Sequence, residues 1–343
     1  MRPFSQSVIP SGVFAARNLS SIVALFSKQT SLSFRAKRGV CFSLAAGSLA
    51  FLAFCVPVAP PTLAPPRPPA ISGIAFVRIS VSSLDESRKF FADGLGLSRL
   101  DQCWDSSAAE CFFVKPLQEV QITRLADPQS KDLVDAIGML TADAGTLREY
   151  LIARGEKPGG LQRRPGGAAS FEIADPEGHR LVFVSTHGVA ASILGGNKHV
   201  GDSIIHAGIV VHDRAVEDKF YKDVLGFHVY WHGGMKDGED NWVDMQVPEG
   251  TDWIEYMLNV SPNASHRTLG VMNHIALGVP DIHAAQQQLL RNGMKLNEEP
   301  KIGRDGKWQL NLYDPDETRV ELMEFTPSQK PCCSEYTGPH PKP

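Results

Sequence analysis

The chain has 343 residues, 43% of them hydrophobic and 21% charged, with a formal charge of −4. A chain of this length and composition suits about two globular domains with a sizeable core. It offers no basic field for phosphate, which argues against a nucleic-acid partner. Six scattered cysteines with no Cys-x-x-Cys pair argue against a disulfide scaffold.

Residues 1–38 carry six Lys or Arg and no Asp or Glu, and Gly39–Ala59, GVCFSLAAGSLAFLAFCVPVA, has no charge. A basic leader (1–38) followed by an apolar run (39–59) reads as an export signal or a single membrane anchor. Seven prolines between Pro57 and Pro69 make 60–70 an extended linker. The protein is therefore expected to be exported, periplasmic or extracellular, or held at a membrane through 39–59.

Beyond the linker the chain repeats itself. Shifted by 130 positions, Phe76–Leu97 (FVRISVSSLDESRKFFADGLGL) lies on His206–Phe227 (HAGIVVHDRAVEDKFYKDVLGF) without a gap. Shifted by 138, Ala136–Gly155 lies on His274–Gly293. Asp175-Pro176-Glu177 before LVFVS parallels Asp314-Pro315-Asp316 before VELMEF, each pair reading as a turn into a strand. Four strand–helix–strands units follow, near 73–125, 134–187, 203–260 and 271–326. Each is too small to bury its own sheet face, so the units should pair. The glycine-rich 191–202 joins the two pairs, and the Pro-rich 328–343 is expected to be a flexible tail.

The segments HAGIVVHD, FYKDVLGF, IEYML, NHIALGV and YDPDETRVELMEF resemble the vicinal oxygen chelate superfamily. That superfamily includes glyoxalase I, extradiol dioxygenases, epimerases and the bleomycin and fosfomycin resistance proteins. The resemblance covers 73–326 and implies an α+β fold of four βαβββ modules paired into two glyoxalase-like domains, an N-terminal one at 71–190 and a C-terminal one at 203–327. It implies metal ligands on the first and last strand of each module, which by position are His206, Glu255, His274 and Glu321. The corresponding N-terminal positions hold Phe76, Gln121, Ala136 and Val182, so only the C-terminal domain is expected to bind metal.

The residues make a case beside that likeness. His206 stands among β-branched and small apolar neighbours; Glu255 shares its strand face with Trp253 and Met257, and Glu321 shares its face with Met323 and Phe325. A carboxylate on an apolar face costs several kcal/mol unless it is paired, protonated or metal-bound. Two imidazoles and two carboxylates suit a divalent metal ion (Zn, Ni, Co, Fe or Mn) with positions left for substrate.

Three functions are consistent with this set. The first is glyoxalase I-like or epimerase-like proton transfer on a substrate chelated through adjacent oxygens, with Glu255 or Glu321 as the base. The second is extradiol ring cleavage by Fe(II) or Mn(II) on His206, His274 and Glu321, although Asn311 stands where that chemistry wants a Tyr and no His lies near Lys307-Trp308-Gln309. The third is a non-catalytic small-molecule binder. The partners expected are a small-molecule substrate, a second copy of the chain in a homodimer, and a bilayer if 39–59 is retained. His212, His228, His232 and His266 read as loop or surface residues. Trp242, Tyr256 and Trp308 are pocket or packing residues, and 301–307 (KIGRDGK) reads as a polar turn. Cys103 and Cys111 are expected to pair after export.

Overall fold

The computed structural model describes residues 68–104, 108–164, 167–185 and 199–343. The basic leader, the apolar run, nearly all of the 60–70 linker and most of the 191–202 joint lie outside those residues. Among the described residues no helix is long and apolar enough to cross a membrane.

The first half supplies β1 (Ile71–Val81), α1 (Leu84–Arg88), β2 (Glu110–Lys115), β3 (Gln118–Arg124), β4 (Val134–Thr141), α2 (Ala144–Ala153), β5 (Gln162–Arg163), β6 (Ala169–Ala174) and β7 (Arg180–Ser185). The second half supplies β8 (Ser203–Val210), α3 (Arg214–Asp218), β9 (His228–Gly233), β10 (Trp242–Gln246), β11 (Trp253–Met257), α4 (His266–Met272), β12 (His274–Val279), α5 (Ile282–Arg291), β13 (Lys301–Ile302), β14 (Trp308–Tyr313) and β15 (Arg319–Glu324). They form a seven-stranded sheet ordered β2-β3-β1-β4-β7-β6-β5 and an eight-stranded sheet ordered β13-β14-β15-β12-β8-β11-β10-β9. In both, an antiparallel central pair (β1/β4, β8/β12) joins two modules, and each central strand has the last strand of its own module alongside in parallel. This is an α+β fold of paired modules. In the first module the strand matching β9 has shrunk to a single bridge, Arg99 to Phe112, beside the Cys103–Cys111 disulfide.

Helix starts follow the caps written in the sequence. Ser83, Asp143, Asp213, Ser265 and Asp281 each accept a first-turn amide through the side chain, a contribution of about 1 kcal/mol apiece. The helix of the third unit is one turn of α-helix that widens into a π-turn at Lys219–Val224, and its repeat does the same at Lys89–Gly94. The wider turn buries Phe220 and Tyr221 in one copy and Phe91 in the other.

One apolar core is shared by both sheets. Gln118 stitches them together: its amide accepts from Ile204 N at 2.7 Å and donates to the carbonyls of Ile204 and Ile74 at 3.0 Å each. Asp252 Oδ2 answers from the other half, accepting Ile74 N at 2.8 Å. The sheet register places Phe76, Gln121, Ala136 and Val182 at the points matching His206, Glu255, His274 and Glu321, and Phe76, Ala136 and Val182 pack there with Ala75 and Val184.

The C-terminal stretch differs from its expectation as a flexible tail. Thr337 N donates to Tyr230 O at 3.0 Å, Ser334 Oγ to His232 O at 2.9 Å, and Tyr336 OH to Asp305 O at 2.8 Å. Its prolines suggested an extended solvated chain, but its aromatic and sulfur-bearing side chains find apolar partners on the C-terminal sheet. Cys332 and Tyr336 pack on the cluster of Tyr230, Trp231 and Trp253, and Cys332 and Cys333 form a vicinal disulfide.

Candidate metal centre

The central strands β15-β12-β8-β11 bring all four expected residues to one spot on the concave face. His206 Nε2 and His274 Nε2 lie 3.0 Å apart. Glu255 Oε2 is 3.5 Å from the former and 3.1 Å from the latter, and Glu321 Oε2 is 3.7 and 3.5 Å away. Each carboxylate thus lies about one coordination edge from both imidazoles, and His206, His274 and Glu321 each bring one ligand atom mutually within 4.8 Å. Both imidazoles are fully buried, whereas the carboxylates are 13% (Glu255) and 4% (Glu321) exposed.

Local structure fixes each ring. His274 Nδ1 is 2.8 Å from the Met272 carbonyl, so Nδ1 carries the proton and Nε2 presents its lone pair to the cluster. The ring lies against the α-carbon of Gly208, its antiparallel partner; a β-carbon there would fall 2.1 Å from the ring. His206 stacks on Trp253, its parallel neighbour across the ladder, with centroids 4.8 Å apart. Burial and the facing His274 hold His206 well below the ordinary imidazole value, keeping it neutral. Burial opposes ionisation of Glu321, but the Arg319 guanidinium and the two imidazoles outweigh it and hold that carboxyl below the usual range. Arg319 Nη2 lies 2.8 and 2.9 Å from the nitrogens of His274 and closes one side of the cluster.

Residues 203–322 match the family model described as Glyoxalase/Bleomycin resistance protein/Dioxygenase superfamily. The C-terminal domain belongs to that superfamily. A search of curated proteins finds no match. Solved structures of similar fold include the Mn(II)-bound glyoxalase of Novosphingobium aromaticivorans, at 21% identity, with 75% of this chain and 83% of that chain covered and a TM-score of 0.56. The 2,3-dioxygenase LapB of Pseudomonas sp. KL28 follows at 16% identity, 80% and 94% coverage and a TM-score of 0.56. Homoprotocatechuate 2,3-dioxygenase of Brevibacterium fuscum follows at 18%, 81% and 86%, and 0.57.

In this domain the cluster opens into a cavity of about 90 Å³. Trp231, Trp242, Trp253 and Met323 form its apolar walls, and Asp244, Glu255, Arg304, Asp305, Gln309, Arg319 and Glu321 supply its polar groups. Several of these escaped the sequence reading. Arg319 sits two residues before Glu321 on the same strand face, so the period-2 rule that found Met323 and Phe325 would have found it too. Asp244 is cross-strand from Glu255; burial and that neighbour raise it well above the usual carboxylate value. The stretch 301–307, expected to be a polar turn, puts Arg304 and Asp305 in the cavity wall and buries Lys307. Burial pushes Asp305 up to about 6 and lowers Lys307. The Lys307 ammonium faces the rings of Trp253, Tyr230 and Tyr336 at 4.5, 5.2 and 5.2 Å.

The remaining candidates lie elsewhere. Of the three pocket-or-packing aromatics, Trp242 lines the cavity, Tyr256 is core, and Trp308 packs on His283. His212, His232 and His266 bond Glu177, Asp240 and the Asp316 carbonyl outside the cup.

Proposed function

We propose that this protein is a divalent-metal-dependent enzyme that takes a small substrate through two adjacent oxygens and moves a proton at the neighbouring carbon, as in glyoxalase-type or epimerase-type chemistry. His206, Glu255, His274 and Glu321 would hold the ion. The observation that carries the reading is the convergence of four groups rather than three, because a three-ligand facial site has no need of Glu255. When bound, the ion supplies Lewis acidity for the substrate oxygens.

Within that reading the two carboxylates divide the work. Glu321 is the more buried and lies 3.8 Å from Arg319, which holds it ionised in place. Glu255 is the more exposed and faces the cavity, so we assign it the role of the base. The tryptophan walls exclude water from the reacting carbon, and Arg304 and Arg319 orient an oxygen-rich substrate. Export or membrane tethering, proposed from the leader, is supported by the two disulfides, since such bonds persist in oxidising compartments.

The test is elemental analysis of the purified full chain, then NMR of α-proton exchange in D₂O with 2-oxoaldehyde–thiol adducts and 2-hydroxy acids. Glu255→Gln should slow exchange by about 10²–10⁴-fold, the usual contribution of a positioned base. Absence of bound metal, or wild-type exchange in Glu255→Gln, would reject the assignment. Ring cleavage is the second reading, favoured by the mutual approach of His206, His274 and Glu321 within 4.8 Å. Against it, the cavity wall includes neither a tyrosine nor a further histidine among the described residues. Oxygen uptake with catechols would decide for it.

A further inference from the structure

A second group of titratable side chains meets outside the cup, where the β6–β7 turn of the first half docks on the start of α3. Asp175, His179 and Glu217 each bring one ligand atom within 4.8 Å of the other two. Asp175 Oδ1 is committed to its own turn, accepting the amides of Glu177, Gly178 and His179 at 3.1, 2.9 and 2.8 Å. Its Oδ2 takes His179 Nδ1 at 2.8 Å and the Tyr221 hydroxyl at 3.1 Å. Glu217 is fully buried; Oε1 accepts Glu177 N at 2.9 Å, while Oε2 has no hydrogen-bond partner. A buried oxygen of this kind is costly to leave without a partner. Burial, reinforced by Asp175, pushes Glu217 up to about 8, so this carboxyl is kept neutral rather than paired.

The chain contains its own control for what this junction requires. The internal repeat builds a second junction of the same construction, where the β14–β15 turn docks on the start of α1. Asp314 Oδ1 caps that turn through the amides of Asp316 and Thr318, at 2.9 and 2.8 Å. Ser82 N donates to Asp316 Oδ2 at 2.8 Å there, as His212 N donates to Glu177 Oε1 at 2.9 Å here. Yet Ser87 stands at the point of Glu217, Phe91 at that of Tyr221, and Thr318 at that of His179. Docking a turn on a helix start therefore needs neither the imidazole, the second carboxylate nor the phenol. Their presence together at one junction calls for a different reason.

We propose that Asp175, His179 and Glu217, with the Tyr221 hydroxyl beside them, form a second metal site that takes one divalent transition-metal ion and ties the β6–β7 turn to α3. One imidazole and two carboxylates are a donor set suited to Zn²⁺ or Mn²⁺. An ion would satisfy Glu217 Oε2 and the facing charge of Asp175 together.

The experiment uses the full chain, loaded separately with Zn²⁺ and with Mn²⁺ and freed of excess. Bound metal is measured by elemental analysis and the melting temperature is recorded with and without chelator. The residues of the other junction supply the variant, Glu217→Ser with His179→Thr, and His206→Ala with Glu321→Ala removes the cup. The cup variant should retain one equivalent of at least one of the two ions and a chelator-sensitive melting temperature. Adding the junction substitutions should abolish both, whereas the junction variant alone should keep whatever the cup binds. A cup variant that binds neither ion, or one that keeps its equivalent after the junction substitutions, overturns the proposal. If the double substitution unfolds the chain by circular dichroism, Glu217→Gln replaces it, and affinity within tenfold of the parent overturns the proposal. Failure of the cup reading alone would show instead as metal lost only through the junction variant.

Discussion

Gly208→Ala tests the candidate centre without touching any ligand. Gly208 lies in a regular strand, so alanine carries no backbone penalty and its effect is steric alone. The new β-carbon would lie 2.1 Å from both Cε1 and Nδ1 of His274 and 3.0 Å from the Met272 carbonyl oxygen. Restoring an ordinary 3.4 Å contact requires a shift of about 1.3 Å in the ring, the difference of those two distances. A metal site tolerates only about 0.2 Å in ligand position, so His274 leaves the coordination shell. The shift also breaks the 2.8 Å bond from Nδ1 to Met272 O that fixes the tautomer. Losing a partner that orients a ligand ordinarily costs 10–100-fold in metal affinity, and losing the ligand costs more. Overpacking should lower stability by about 1–3 kcal/mol. Titration of the chelated full chain with Zn²⁺, followed by calorimetry, measures the affinity, and urea unfolding measures the stability. Gly160→Ala, at a position with no close neighbour, serves as the control. An affinity for Gly208→Ala within threefold of the control would refute the argument, because it would mean that His274 is not held where a ligand must be.

Three further outcomes follow from the same structure. Gln118→Ala strands the buried amide and carbonyl of Ile204 between the sheets and should cost about 2–5 kcal/mol in urea unfolding; a loss below 0.5 kcal/mol would mean the stitch is replaceable. Truncation after Pro327 removes Tyr336 from over Lys307 and Cys332 from the aromatic cluster, so the melting temperature should fall and the Lys307 ammonium should become open to acylation, read by peptide mass spectrometry; an unchanged melting temperature would show that the tail adds nothing. Glu217, raised to about 8 in the fold, binds a proton there that the unfolded chain releases near pH 4.5. The sign follows: the contribution of this group to metal-free stability is fully present below about pH 4.5 and is lost as pH rises toward 8, by at most about 1.4 kcal/mol per pH unit. Glu217→Gln should flatten that slope in chelator, and a slope identical to wild type would refute the assignment.

How much was legible in the sequence can be judged residue by residue. His206, Glu255, His274 and Glu321 were readable through the likeness to the vicinal oxygen chelate superfamily; the internal copies, with Phe76, Gln121, Ala136 and Val182 at the same strand positions, and the strand period that tells which side chains share a face supported that placement. Arg319 was within reach of that period and was passed over. Asp244, Arg304, Asp305 and Lys307 were not readable, because no strand period links a connecting turn to a particular wall. The π-turns at 89–94 and 219–224 left no mark, since the same apolar spacing suits a plain helix.

The sequence alone indicated four units and their pairing, because repetition is a local property of the chain, and its likeness to a known superfamily supplied the α+β fold and the candidate ligand set of one cup. The tertiary structure decided which carboxylate is open to the cavity, which glycine makes room for His274, and that a proline-rich tail packs instead of trailing. It also decided that Asp175 and Glu217, 42 positions apart, share a buried space. Those outcomes depend on who is whose neighbour across a sheet or a junction, and burial, not order along the chain, sets the energy of a charge.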